Sequence, residues 1–600
     1  MNLLRLVALG TCLASLSALE SPAWAQTPAP PSPPSEATPP PAAPPPTPAP
    51  PPPPVDPPAV VKTASPAIDI TTLRVLLVRG TITQAEYDAA MKDMANTTGE
   101  KIAGDSPSLV LGKWSTTLYG FVEADFINDS TQSFNDVAGN SPVQRQTLEP
   151  NPGGMTPGCP VCMGKSLQNA TGGITTYAGN HGRTQFSIRN TRLGFRIRAP
   201  EVSGVRASGM IETDFLGYLP PPSYTTGQPT EATFFTSPSL RLRHAMIRIE
   251  TPVVDLLLGQ YWDLFGWQGV YQPNSVEIQG LPGELYSRNP QLRVSKTLAN
   301  DSVSFEIAAA ALRPPSRNSE VPEAQGGLRF ALPTWKGVVT NGATATSVMP
   351  FSIAVTGDYR HYIVPEMSLL PENSLGLDTF AGAVDIFIPI IPAKHVEDHA
   401  LSLTGEFVTG SGMADLYTSL SGAAGGGIQF PYMPNSAPFV PPTFTSPTAP
   451  VYPQDVDNGL VDYCPLPSVP GMGPSLRGQT PCGGNPGSVV AVQWTTFILG
   501  LQYYLPGLGG HVWVSGNFSR QSSANSSDFA RATLINSGLS YYNSTIYQVR
   551  KSEIFADGNL FWQIVPAARL GAEYAYFNDE YVDGIHGVNN RFQLSGWFIF

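Results

Sequence analysis

The stretch Arg591-Phe-Gln-Leu-Ser-Gly-Trp-Phe-Ile-Phe600 decides the fold class. Phe592, Leu594, Phe598 and Phe600 fall on one parity with Gly596 in the remaining slot, while Arg591, Gln593 and Ser595 fall on the other. Side chains of a strand alternate between its two faces, so this segment has one apolar and one wet face when extended. A strand lying between lipid and water needs that arrangement. An amphipathic edge strand of a soluble sheet is the competing reading.

The alternation recurs upstream. In Leu118–Phe126, Leu118, Val122, Ala124 and Phe126 oppose Tyr119, Phe121, Glu123 and Asp125. Thr191, Leu193, Phe195 and Ile197 alternate with Arg192, Gly194, Arg196 and Arg198. Val205, Ala207, Gly209, Ile211 and Phe215 alternate with Arg206, Ser208, Glu212 and Asp214. Over 240–250 the parity slips, with Arg241 and Arg243 on one face and Arg248 and Glu250 on the other, which points to a β-bulge or a misplaced boundary. Further strands are expected near 255–262, 291–297, 303–312, 326–331, 351–360, 379–389, 399–409, 493–505, 510–521, 546–564, 568–577 and 591–600.

The longer segments number about sixteen, an even count of the kind bacterial transmembrane barrels use. Tyr503, Tyr504, Tyr542, Trp562, Tyr574, Tyr576 and Trp597 near strand ends fit aromatic girdles. Short links, Ala199–Gly204 and Pro506–Gly510, alternate with long ones at 127–183 and 410–490, as periplasmic turns and extracellular loops do. The expected fold is all-β: a transmembrane antiparallel β-barrel over 114–600, preceded by a Pro-rich disordered linker and a short helical segment. At about sixteen strands such a barrel leaves an aqueous channel.

Composition agrees. Charged residues make up 13% of the 600, against roughly 25% in soluble domains. The 42% hydrophobic content is also too low for a bundle of membrane helices. A net charge of -12 speaks against a general nucleic-acid partner, although it leaves the sign of any pore open.

The N-terminus reads as a signal peptide, residues 1–25: Arg5, an apolar or small run from Leu6 to Leu19, and Ala23-Trp-Ala25 as the cleavage site. A lipoprotein site at Leu9-Gly-Thr-Cys12 fits poorly because Thr precedes the cysteine. Residues 26–68 are a Pro-rich linker that populates polyproline II, either a periplasmic spacer reaching toward the cell wall or a solvated tether. Residues 69–97 carry a Leu73, Leu76, Leu77 stripe ending near Gly80, then a capping box Thr83–Glu86 opening a second helix. Helices this short need a partner surface. Self-association beneath an oligomeric barrel is preferred to packing against the chain's own barrel. A linker, 98–113, leads into the first strand.

The cysteines Cys159, Cys162, Cys464 and Cys482 fall in Gly- and Pro-rich stretches and read as loop disulfides in an oxidising compartment, with the pairing left open. None of the seven histidines sits in a catalytic motif. His395 and His399 are four apart in what reads as a turn entering a strand, where they do not converge on a metal. No catalytic residue, metal site or cofactor is expected.

The candidate functional residues are instead the wet parities. Arg192, Arg196 and Arg198, extended by Arg206, Arg241 and Arg243, make a basic wall; Glu123, Glu212 and Asp214 oppose it on neighbouring strands. Arginine offers carboxylates a planar donor fork, and basic rings favour anions. Alternatively the arginines pair with these acids and merely brace the wall. The segment Asn274–Arg293, with Glu277, Glu284, Arg288 and Arg293, is either a constriction loop or an ordinary surface loop.

The succession "LYGFVEADFINDS", "RNTRLGFRIRAP", "GMIETDF", "LRLRHAMIRIE" and "LLLGQYWDLF" resembles the DcaP-like porins over roughly residues 70–300. "LLVRGTITQAEYDAAM" is similar to the helical module that precedes several porins, and the final Phe600 to the terminal signal of bacterial outer-membrane barrels. The resemblance implies a trimeric Gram-negative outer-membrane channel, with a periplasmic helical extension, for dicarboxylates and other small anions. It does not extend to the Pro-rich leader or the Cys-bearing loops. The expected function is passive transport of small hydrophilic solutes by a homotrimer in outer-membrane lipid. The alternative is a structural anchor or adhesin tied to peptidoglycan through the leader.

Overall fold

The first long strand, β1 (Trp114–Asp129), shows how the alternation becomes a wall. Val122 is exposed, whereas Glu123, Asp125, Ile127 and Asp129 are buried. The apolar side chain therefore faces outward and the charged ones inward, the inverse of a soluble protein, as lipid outside and a polar interior demand. The structure is a computed structural model that describes residues 108–111, 114–148, 174–217, 238–315, 319–365, 372–393, 399–420, 460–463, 488–526, 550–581 and 584–600. The expected segments 1–25, 26–68 and 69–97, His395, Tyr542, and all four of Cys159, Cys162, Cys464 and Cys482 lie outside the described residues.

β1 is followed by β2, in two pieces (Arg183–Ser187 and Arg192–Arg198), β3 (Arg206–Gly217), β4 (Ser239–Glu250), β5 (Asp255–Trp262) and β6 (Arg288–Ala299). Then come β7 (Ser304–Leu312), β8 (Glu323–Val339), β9 (Ser347–Pro365), β10 (Ser374–Ile391) and β11 (Leu401–Ser411). The series ends with β12 (Gln493–Tyr504), β13 (Val512–Ser523), β14 (Arg550–Val565), β15 (Ala568–Tyr581) and β16 (His586–Ile599). Each strand pairs antiparallel with its sequence neighbours, and β1 pairs with β16 from Phe121↔Ile599 to Asp129↔Arg591. The sheet thus closes as a barrel of 16 strands. Below the end of β16, a short strand, Ser108–Leu111, takes the same edge of β1.

Two details of the sequence reading are resolved. The slipped parity in β4 is a bulge: Glu212 pairs with His244 and Thr213 with Leu242, so Arg243 is the extra residue. Arg243 and His244 are consecutive, yet both are buried toward the interior. The aromatic girdle needs correction. Trp562 (51% exposed) and Tyr574 face outward, but Trp597 (3%) and Tyr504 are buried inside. They sit on the inward parity of Ser595 and Gln502, and parity overrides proximity to a strand end. With Trp513 and Phe561 they form an internal aromatic row, centroids 5.4, 5.1 and 6.2 Å apart along it.

Candidate functional site

Residues 263–287, between β5 and β6, turn inward and cross the barrel. The constricting alternative therefore holds, with a boundary shift: Arg288 to Arg293 belong to β6. The turn begins at Phe265–Trp267, where Gly266 has φ +74 and a Cβ would lie 2.5 Å from a Leu285 methyl, so glycine is required. A backbone crossing a buried space must find partners for its polar groups, and here the wall's side chains supply them. Phe265 N donates to Gln325 Oε1 on β8, Gly266 N to Thr356 Oγ1 on β9, and Leu285 N to Glu406 Oε1 on β11, each at 2.9 Å. Val276 N donates to Asn559 Oδ1 on β14 (2.9 Å) and Glu277 N to Glu573 Oε2 on β15 (2.8 Å). Ser515 Oγ and Asn517 Nδ2 on β13 donate to Asn274 O.

The turn between β8 and β9 comes from the opposite end and also bends inside. Thr340 N donates to Gln502 Oε1 (3.2 Å), and the Thr340 and Tyr504 hydroxyls are bonded. Arg569 Nη1 donates to Gly342 O and to Thr344 O (3.1 Å). Gly342 N donates to Asn274 Oδ1 at 2.9 Å, joining the turn to the inward loop.

Across from these segments lies the wall of β1–β6. Arg243, fully buried, donates to Glu212 Oε1 (2.7 Å), Asp214 Oδ2 (3.2 Å) and Tyr286 Oη (3.3 Å). Arg241 forks onto Asp214 at 3.0 and 2.6 Å, and Tyr119 Oη donates to Glu212 Oε2 at 3.0 Å. Arg192 Nε lies 3.6 Å from Glu212 and its guanidinium stands over Phe121 at 5.2 Å. Arg196 stands over Tyr119 at 4.4 Å, and Arg288 over Trp262 at 4.8 Å. These faces are favourable cation–π seats.

The structure thus gathers Arg192, Arg196, Arg241, Arg243, Glu212 and Asp214. It does not bring in the other three. Arg198 is half-buried toward the end of β2, Arg206 is exposed and pairs with Glu250 at 3.2 Å, and Glu123 lies beside Asp125 and Glu277. Sequence parity missed His244, Trp262 and Tyr286. The bulge signal in 240–250 was the clue to His244; Trp262 ends β5 and Tyr286 lies in the last residues of the inward loop, and neither carries a periodic signal.

Two cavities line this slot, one of about 500 Å³ and a smaller one of about 50 Å³. Both are bounded by Phe121, Arg192, Arg243 and Trp262 on the wall, Gln272 on the loop, and Asn341, Ala343 and Thr344 on the turn. Arg192 Nη2 and Gln272 Nε2 are buried there with no hydrogen-bond partner among the described residues. Burial disfavours the charged forms of the loop's own acids. Burial pushes the Glu277 carboxyl well above the usual range, against the pull of Arg591, and does the same to Glu284. Burial would raise the Tyr286 phenol too, but Arg243 and Arg288 hold it below its ordinary value.

A closed barrel with an apolar exterior, a charged interior and an inward loop defines a transmembrane β-barrel. Among solved structures, the chain is similar to the outer membrane channel DcaP of Acinetobacter baumannii: 15% identity, TM-score 0.48, covering 83% of this chain and 100% of that one. Similarity extends to OprB of Pseudomonas putida (10%, TM-score 0.37, 80% and 94% covered) and OmpF of Salmonella typhi (9%, TM-score 0.37, 82% and 100% covered). No family model and no curated protein matches the sequence.

Proposed function

We propose that the protein is an outer-membrane porin through which small hydrophilic solutes diffuse passively, with a preference for anions such as dicarboxylates. One observation carries the reading: positive charge exceeds negative at the slot. Arg192, Arg196, Arg241, Arg243 and Arg288 gather around Glu212 and Asp214, while burial favours the neutral forms of Glu277 and Glu284. Bracing accounts for Arg241, tied to Asp214, and for Arg243, tied to both Glu212 and Asp214. It leaves Arg192 Nη2 and Gln272 Nε2 as donors for a passing carboxylate. The exposed apolar band, including Phe195, Ile211, Ile247, Val355, Leu499 and Phe598, supports seating in lipid.

The same proposal takes residues 1–25 as the export signal, 26–68 as a Pro-rich periplasmic linker and 69–97 as the helical segment that holds three barrels together. The test is single-channel recording in planar bilayers, with the reversal potential under a salt gradient. Stepwise anion-selective openings are expected, and Arg196→Glu lowers the selectivity without unfolding the barrel. An unchanged potential in that variant removes the role given to the basic wall. A folded but silent barrel favours an anchor or adhesin. Deleting 26–97 should leave conduction intact and weaken the trimer; a trimer of undiminished thermal stability rules out the helical bundle.

A further inference from the structure

We infer that the turn between β8 and β9, residues 340–346, is a second constriction element that meets the inward loop and confines solute to the slot along β1–β6. The inference rests on the porin reading. Short turns of a barrel ordinarily sit at the rim in water. The link after β2 does so, with Glu201 to Val205 exposed, and so does Leu508 in the link after β12. The 340–346 turn does not: Thr340, Gly342 and Ala343 are buried, as are Val338 and Val339 leading into it.

Its seat is built from elements far apart in the chain. Gln502 and Tyr504 of β12 hold Thr340, Arg569 of β15 holds the carbonyls of Gly342 and Thr344, and Asn274 holds the amide of Gly342. Arg569 is itself propped over the Trp513 ring at 5.0 Å. Gly342 adopts φ +48, and a Cβ there would lie 2.4 Å from an Ile278 methyl, so loop and turn touch without a gap. The two segments, entering from opposite ends, meet over the β12–β16 side of the interior. What remains open is bounded by Arg192 and Arg243 on one side and by Asn341 and Thr344 on the other. Thr344 is exposed into that space, and the buried Asn341 Oδ1 has no hydrogen-bond partner among the described residues. Asn341 and Thr344 therefore set the width and polarity of the slot opposite the basic wall.

The experiment uses the full-length protein in planar bilayers. Thr344→Cys is treated with a sulfonate-bearing methanethiosulfonate reagent, with the wild type treated in parallel. Modification should lower single-channel conductance at least about twofold in Thr344→Cys and leave the wild type unchanged, because bulk and negative charge then enter the narrowest section. Independently, removing Gly342–Ala345 should raise conductance at least about twofold. Wild-type openings with neither variant altered overturn the inference and leave the porin reading standing. A silent wild type brings down both.

Discussion

The two sides of the barrel interior are built on different terms. On the β12–β16 side, polar groups are packed against the inward segments: Asn517, Asn559, Glu573 and Arg569 each make a hydrogen bond to the loop or the turn. Arg591 forks onto Asp129 at 2.9 and 2.8 Å with both side chains wholly buried. On the β1–β6 side, Arg192 and Arg196 lean on aromatic rings beside a cavity of about 500 Å³, and Arg192 Nη2 is buried with no hydrogen-bond partner among the described residues. The same residue type is thus a strut on one side and an available ligand on the other. Partner geometry and desolvation make the difference, not residue identity.

The largest effect that tests this contrast is Arg591→Met, which strands Asp129 in the interior and should cost about 3–5 kcal/mol. Arg192→Met, with its nearest acid 3.6 Å away and a cavity alongside, should cost under about 1 kcal/mol. Thermal unfolding of the detergent-solubilised barrel reads both, and equal destabilisation would collapse the contrast. Next comes Glu573→Ala. It leaves the Ser275 hydroxyl and the Glu277 amide buried without their acceptor, at about 1–3 kcal/mol. Excess open-channel noise should accompany the loosened loop, and a quiet, equally stable variant would show that the latch is unimportant.

A smaller effect is expected from pH. Glu277 and Glu284 have raised pKa values, so they are neutral below those values and ionise as pH climbs through them. Anion preference should therefore fall with rising pH, read as a drift of the reversal potential toward zero; a drift of opposite sign refutes the assignment. Smallest of all, Ile211→Val on the exposed outer face should change stability by less than about 0.5 kcal/mol.

How much of this was legible follows from the range of each interaction. Parity is local, so each strand could be read from its own residues, and the Arg241/Arg243 slip announced its bulge. Trp597 and Tyr504 were misplaced because nearness to a strand end was weighed above the parity of Ser595 and Gln502. An inward path was one of two readings of Asn274–Arg293, and the structure moves its bounds to 263–287. Its partners on the wall, from Gln325 to Glu573, lie 60 to 298 residues away. The 340–346 turn gave no signal at all: Thr-Asn-Gly-Ala-Thr-Ala-Thr specifies a turn, and only Gln502 and Arg569 say which way it points.

The pairing of β1 with β16 also bears on how the molecule folds. Asp129 and Arg591 meet across 462 residues of chain, so the seam closes a loop that contains every intervening strand. Loop-closure entropy makes such distant pairing slow. Until then two unpaired strand edges stand open, a template for pairing with other chains. The ion pair at the seam then acts as a late lock. A contact made that late contributes little to the rate of folding and much to the slowness of unfolding.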